Sequence, residues 1–555
     1  MMSDNTHYDL IVIGSGAGGA TVAQALADTG KRILILERGE HLPREADNWN
    51  PSAVFIDGKY RTDEKWLDKD NKEFTPNTHY WVGGNTTFYG GVLMRFREGD
   101  FEERKHSDGV SPAWPISYDE LSSWYDKAET LWRVRGEAGT DPCEPPRNKP
   151  YDHAPVGHEP EVARLDEHLK ENLGWKPFPL PLGVMRDDAD PVRSACVRCQ
   201  FCGGYPCLVK AKSDARTIAI DPLMEQENVT ILTGRFVERL EVEDCGDMIK
   251  EVICTNADGE EEAYSADLVV LAAGAANTAA ILLRSTCEGH PNGLANGSDQ
   301  VGRNYMFHTM TAIVSMTAHT VDADFPKTLG INDFYWGDPD GSYEYPMGHV
   351  QTLEYMKGET IEGQIKEMVP SGLIPNFLSR NIAKRMLSFL VLSEDLPLQE
   401  NRIRWDGKQI HLEYTYNNLE GHKRLVAKMD NALDNFADEK HKIWDHHYQV
   451  SSLLPIYGTA HQCGTARMGN DPATSVVNKD CRAHEVSNLF ITDTSVFCSS
   501  AAVNPTLTLV ANALRVSEVI RGRLMGGALD APLTHQEQIA ETPPKQGRKK
   551  RFGIF

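Results

Sequence analysis

Apolar and polar positions are most sharply patterned at the two ends of the chain. From Tyr8 the sequence reads YDLIVIGSGAGGATVAQALADTGKRILILERGE: an apolar run, a glycine cluster, an Ala-rich stretch and a second apolar run. Short continuous apolar runs bounded by turn formers predict strands buried on both faces, and the Ala-rich segment between them predicts a helix. The longest apolar run, LVVLAAGAANTAAILL from Leu268 to Leu283, holds Gly, Asn and Thr and is shorter than a membrane span requires. It predicts a buried strand, a turn and a helix. Near the C-terminus, NLFITD predicts a short strand, TSVFCSSAAVNP a loop of small residues, and Thr506 onward a helix. DGEEEA near 258 to 263 predicts a solvated hairpin turn. YPMGHVQTLEY from Tyr345 alternates and predicts a strand, either facing a substrate or lying in the core of a second domain.

Composition narrows the class. A chain of 555 residues that is 40% hydrophobic, with 30 prolines, can bury a large core and predicts two or more domains. Acidic residues outnumber basic ones 80 to 57, which excludes a nucleic-acid partner, because phosphate binding is driven by Lys and Arg displacing counterions. The start, MMSDNTHYDLIVIG, lacks the basic and apolar regions of a secretory signal, so a cytoplasmic protein without a membrane span is expected. In that reducing compartment the odd total of 11 cysteines argues against a disulfide framework.

Four of those cysteines stand in CVRCQFCGGYPCL, at Cys196, Cys199, Cys202 and Cys207. The spacing is near a ferredoxin run, but Pro206 precedes the last Cys instead of following it. Four thiolates would suffice for zinc or an iron–sulfur cluster, and a thiol-rich structural loop is the alternative; the spacing leaves both open. The adjacent His446 and His447 point in different directions on either a helix or a strand, which favours solvated or structural roles. The stretches 141 to 192 and 322 to 371 lack the periodicity of a long helix.

The glycine cluster carries the first chemistry. Gly14, Gly16 and Gly19 have the G-x-G-x-x-G spacing, with Ser15 and Ala17 between them, and strand, helix and strand fit within about 30 residues. The first glycine permits the tight turn, the second lets the backbone approach a pyrophosphate, and the third lets helix pack on strand. The pyrophosphate then lies at the helix N-terminus. Glu37, 23 residues after Gly14 and next to Arg38, is placed to accept hydrogen bonds from a ribose diol. Its charge disfavours the 2′-phosphate of NADP, whereas NAD and FAD are not separated by this segment. His461 and Asn504 stand 43 residues apart, and nothing in the residue pattern alone brings them together.

The ordered set of segments resembles the glucose-methanol-choline family of FAD-dependent oxidoreductases over nearly the whole chain. The segments are GSGAGG with Glu37, HYWVGGNTTFYGG from His79, NVTILTGRFVERLEV from Asn228, VVLAAGAANTAAILLRS from Val269, VGRNYMFH from Val301, and HQCGTARMG, ITDTSV and VNPTLT near the C-terminus. The resemblance implies an α/β fold: a Rossmann-like FAD domain assembled from about 1–40, 76–100, 210–305 and 455–528, and a substrate domain with an antiparallel sheet from 41–75, 101–209 and 306–454. Residues 529–555 are expected to form a mobile polar tail. It implies that Gly84 and Asn85 run beside the flavin, that Val237 contacts adenine, and that Asp493 holds the ribityl and pyrophosphate region. Thr506 and its neighbours would approach the flavin ring through backbone groups. His461 falls on the family's catalytic histidine and Asn504 on its paired position. In such enzymes an alcohol loses its hydroxyl proton to a base and hydride to flavin N5. A neutral imidazole suits the base near pH 7, and an amide N–H suits the developing oxyanion.

Two positions depart from the pattern. Phe88 stands where some relatives carry a histidine bonded to FAD, so a non-covalent cofactor is expected unless His79 substitutes. Ala279 stands where the family prefers Pro or Ser, a change assigned to a turn. The expected function is oxidation of an alcohol, such as a hydroxyl of a sugar or glycoside, with oxygen, a quinone or a protein carrier as acceptor. The alternative is a cyanohydrin-type lyase on the same flavin fold, and a third reading is a flavoprotein whose site has decayed into binding.

Overall fold

The computed structural model describes residues 7–316, 321, 323–354, 384–437, 449–458 and 460–526. His446, His447 and the tail beyond 529 lie outside them, as does part of the stretch 322 to 371.

The N-terminal pattern folds as a βαβ unit. Strands His7–Ile13 and Ile33–Leu36 pair in parallel and flank helix Ala17–Leu26. They lie in a seven-stranded sheet whose order is Val229–Leu232, Ile33–Leu36, His7–Ile13, Glu261–Leu271, Ile249–Thr255 and Phe236–Val242; Leu489–Ile491 pairs with the end of Glu261–Leu271. That long strand has two roles. Residues 261–264 pair antiparallel with Ile249–Thr255 across the predicted hairpin turn, and 265–271 continue as the central parallel strand beside His7–Ile13. Leu10, Val12, Ile33, Ile35 and Val270 are completely buried, so the continuous apolar runs reflect a sheet covered on both faces. Helix Ala17–Leu26 packs on Thr506–Leu524, which in turn packs on Tyr118–Leu131, with Tyr125 Oη and Thr508 Oγ1 hydrogen-bonded at 2.7 Å.

A second sheet is antiparallel throughout, in the order Gln449–Leu453, Thr309–Met316, Met386–Ser393, His349–Thr352, Leu329–Ile331 and Phe178–Pro179. Ile313, Phe389, Val391 and Val350 on one of its faces form a buried cluster with Leu425, Met429 and Leu433 of helix Leu419–Ala437. Helix Pro160–Leu173 joins the same cluster through Val162, Leu165 and Leu169. This helix corrects the reading of 141 to 192 as irregular. Its apolar stripe is the single line Val162, Leu165, Leu169 and Leu173 among charged residues, but Pro160 opens it and Gly174, at φ +68°, caps it. Among the described residues no helix is long and apolar enough to cross a membrane.

Candidate active site

In the first glycine turn two of the three glycines stand where a side chain would collide with backbone, and the third faces open space. A Cβ on Gly14, whose φ is +99°, would stand 2.4 Å from the Ala272 carbonyl oxygen, and one on Gly19 would stand 2.1 Å from the Gly14 oxygen. Both glycines are required by close packing of strands and helix. A Cβ on Gly16 would meet nothing within 4 Å, so the chain leaves space directly before the N-terminus of helix Ala17–Leu26. Glu37 is buried, and its carboxylate accepts the Ser15 N–H at 2.9 Å, the Ser15 hydroxyl at 2.6 Å and the Gly39 N–H at 2.8 Å. Burial raises its pKa while these donors oppose the rise. A carboxylate has about four acceptor positions, so one remains for a further hydroxyl. Ser15 Oγ also accepts the Gly83 N–H at 3.0 Å, which draws the second loop against the first turn. Arg38 lies over the rings of Tyr80 and Phe236, at 3.8 and 4.6 Å, and pairs with Glu64 at 2.5 Å.

Asp493 follows strand Leu489–Ile491 and pins a second glycine turn. Its Oδ2 accepts the Gly274 N–H at 2.8 Å and the Thr278 hydroxyl, and its Oδ1 accepts the Ser495 N–H at 2.9 Å. Gly274, at φ +85°, also faces open space. Thr506 starts helix Thr506–Leu524, as its pattern predicts. Val237 is buried on strand Phe236–Val242, and its carbonyl accepts Arg284 Nη2 at 3.0 Å. Gly84 and Asn85 lie in a turn over Gly84–Thr87, where Asn85 Oδ1 accepts the His79 N–H at 2.8 Å. Phe88 is buried and stacks on His79 with ring centroids 3.9 Å apart, and His79 Nδ1 is 3.3 Å from the Tyr60 carbonyl.

The structure joins His461 to His308, the last residue of VGRNYMFH, which its sequence pattern does not mark as functional. Met306 and Cys463 form an antiparallel bridge with both backbone hydrogen bonds made, at 3.0 and 2.8 Å. Two residues further along each strand, His308 and His461 are therefore directly opposed. Their Nδ1 atoms are 2.8 Å apart, and His308 Nε2 is 3.1 Å from the Ser500 carbonyl oxygen. A carbonyl can only accept, so His308 Nε2 carries a proton. Burial lowers the His308 pKa to about 4, which keeps the ring neutral near pH 7 and leaves its Nδ1 as an acceptor. The proton between the rings thus belongs to His461 Nδ1, and His461 Nε2 holds a free lone pair. Burial, reinforced by the neighbouring His308 and Lys327, lowers the His461 pKa well below the usual histidine range.

The loop that carries Ser500 is fixed from behind. Ser500 Oγ bonds the Asp395 backbone, Ser499 Oγ accepts Trp114 Nε1 at 2.8 Å, and the Ala502 N–H reaches Tyr335 Oη at 3.3 Å. This loop delivers Asn504, whose Oδ1 is buried without a partner. Among the described residues no hydrogen bond joins His461 to Asn504; the Ser500 carbonyl and His308 connect their segments.

The four-cysteine segment forms an irregular loop. Buried Lys212 donates to the carbonyls of Tyr89, Cys202 and Tyr205 at 2.9, 3.0 and 2.7 Å, tying it to the Gly84–Tyr89 loop. Among the described residues no three His, Cys, Asp or Glu side chains converge as metal ligands, these cysteines included.

Comparison with known proteins agrees with this layout. Profiles of the GMC oxidoreductase family match residues 8–310 and 397–513. The chain is 30% identical to 6'''-hydroxyparomomycin C oxidase of Streptomyces lividus, over 93% of this chain and 92% of that one. It is 26% identical to 2-methyl-1,2-propanediol dehydrogenase of Mycolicibacterium austroafricanum, over 94% and 97%. The fold superposes on crystalline pyridoxine 4-oxidase from Mesorbium loti with a TM-score of 0.63 at 19% identity, covering 92% of this chain and 99% of that one. On the profiles and on the full-length relatives, the chain belongs to the GMC family of FAD-dependent oxidoreductases.

Proposed function

We propose that the protein oxidises the CH–OH group of a hydroxyl-rich alcohol, with His461 as the base. The observation that carries this reading is the ordered pair of imidazoles: His308 fixes the proton of His461 on Nδ1 and leaves Nε2 to accept the hydroxyl proton. Asn504 supplies an amide N–H to donate to the substrate oxygen as it gains negative charge. The open space at Gly16 and Gly274, the remaining acceptor position of Glu37 and the turn held by Asp493 fit the pyrophosphate and ribose of FAD. When bound, FAD supplies the acceptor for the hydrogen and electron pair leaving the alcohol carbon. The relatives named for oxidising a paromomycin derivative and a propanediol support a substrate with several hydroxyls.

The segments of the first sheet are read as the cofactor domain and the antiparallel sheet as the substrate domain. FAD is read as non-covalent, because Phe88 occupies the linking position and the His79 ring is stacked against it. The cysteine loop is read as a structural cover locked by Lys212, and an iron assay of anaerobically purified protein tests that reading. Stoichiometric iron would refute it.

Anaerobic mixing with sugar and alcohol panels tests the main reading. An oxidoreductase bleaches the flavin absorbance, whereas a lyase leaves it unchanged. His461→Ala should slow bleaching by several orders of magnitude, and a loss smaller than about tenfold would remove His461 from the role of base.

A further inference from the structure

The antiparallel sheet has two unlike faces. Thr311 points toward helix Leu419–Ala437, with Oγ1 2.7 Å from His422 Nε2, and Ile313 and Val350 are packed on that side. Side chains alternate along a strand, so Met310, Ala312 and Val314 take the opposite face, in step with His308. Across the sheet Ala312 is opposite Leu390, and Leu390 is opposite Gln351. Ala312, Val314 and Leu390 are only half-buried, whereas Ile313, Phe389 and Val391 on the helix side are fully buried. On the face that begins at His308, Ala312, Val314 and Leu390 are therefore less covered by the described residues than their counterparts on the helix side.

Gln351 is the polar member of that row, 1% exposed, and its amide has one end 3.2 Å from His349 Nε2 and the other without any partner. The identity of the unmet end follows from the groups behind it. Asn332 Nδ2 donates to both oxygens of Asp141 at 2.9 Å, and Asp141 pairs with Arg97. Asn332 Oδ1 must then accept from His349 Nδ1, 2.7 Å away. His349 is buried, with its pKa lowered to about 3, so the ring is neutral and Nε2 holds a lone pair. With Oε1 toward His349, two acceptors would face each other. The NH2 end therefore belongs there, and the carbonyl oxygen of Gln351 is the unmet atom.

We propose that the Gln351 carbonyl oxygen receives a second hydrogen-bond donor of the substrate, a hydroxyl or an ammonium borne several bonds from the reacting carbon. Resting on the alcohol-oxidation reading, this sets the substrate class as polyols and amino alcohols of about sugar size. The row of Gln351 lies two strands and four residues from His308, about 16 Å between Cα atoms at ordinary strand spacing, which requires such a length. An unmet buried acceptor is costly in the free protein and selects a ligand that donates to it.

The test uses the FAD-loaded enzyme and a series with one common primary alcohol: 1,6-hexanediol, 6-amino-1-hexanol and 6-methoxy-1-hexanol. Dissociation constants are read from perturbation of the oxidised flavin absorbance, without turnover. The diol and the amino alcohol should bind about three- to tenfold more tightly than the ether, the scale of one neutral hydrogen bond. Gln351→Leu should abolish that preference, and Gln351→Glu should shift it toward the ammonium. Equal binding of diol, amino alcohol and ether by the wild type, or a preference that survives in both variants, would overturn the proposal. A tighter diol over amino alcohol identifies the donor as hydroxyl, and the reverse identifies it as ammonium. A preference lost with Gln351, without bleaching by any probe or sugar, would support the subsite and refute alcohol oxidation.

Discussion

Replacing His308 by leucine removes one acceptor and one donor from the pair it forms with His461. When His461 takes a proton on Nε2, the ring becomes an imidazolium and its Nδ1–H donates to neutral His308 across 2.8 Å. A hydrogen bond with one charged partner contributes about 1.5–3 kcal/mol, and each 1.36 kcal/mol is tenfold in rate, so flavin reduction should slow by about 10- to 150-fold. Asparagine has nearly the shape of leucine but places an amide oxygen where His308 Nδ1 stands. His308→Asn should therefore recover most of the rate, while both variants keep the wild-type FAD content. The assay is anaerobic stopped-flow reduction at saturating alcohol. A leucine variant within threefold of wild type, or equal losses in both variants, would refute the argument that His308 acts through the proton on His461.

Two glycines separate the fold from the cofactor. Gly14→Ala would drive a methyl group to 2.4 Å from the Ala272 oxygen at φ +99°, so soluble folded protein should be lost. Gly16→Ala enters open space at a φ of −66°, so the circular dichroism should be unchanged while FAD retained after gel filtration falls. Asp395 is completely buried, its pKa raised to about 8 by that burial, and its Oδ1 has no partner. A raised carboxyl pKa contributes stability below about pH 4 that is lost as pH rises through about 8, at no more than about 1.4 kcal/mol per pH unit. Asp395→Asn keeps an acceptor for the Phe307 N–H and Tyr414 hydroxyl that now bond Oδ2. It should flatten the fall in urea midpoint between pH 5 and 8; parallel curves would contradict a neutral Asp395.

The first βαβ unit was legible because its strands are covered on both sides, which forces continuous apolar runs, and because Gly14 and Gly19 are dictated by contacts inside one short unit. The hairpin turn before Glu261 and the helix from Thr506 were legible for the same local reasons. Helix Pro160–Leu173 was not, since Val162, Leu165, Leu169 and Leu173 make a stripe only one residue wide among its charges. His308 was beyond local reading for a different cause. It is 153 residues from His461, and the two oppose each other only because Met306 bridges Cys463. The signal available was its position as the last residue of VGRNYMFH. Lys212 gave no signal either: a lysine satisfied by three carbonyls looks in sequence like any surface cation.

His461 and Gln351 share one physical logic. Each points an acceptor, a ring nitrogen or an amide oxygen, because a buried neutral histidine behind it fixes where the proton must be. His308 takes its orientation from the Ser500 carbonyl, and His349 takes its orientation from Asn332, Asp141 and Arg97. Histidines whose folded pKa is lowered contribute stability above about pH 6.5 that is lost as pH falls through their folded values, about 4 for His308 and about 3 for His349. Protonation of either ring reverses the polarity of the atom it serves, since a former acceptor becomes a donor. Acid should therefore abolish flavin reduction and the discrimination between 1,6-hexanediol and its ether only below the usual histidine range, not near pH 6.5. Titrating both properties on one holoenzyme sample between about pH 7 and 3 checks this, and discrimination already lost near pH 6.5 would show that the Gln351 amide is not held by a neutral His349.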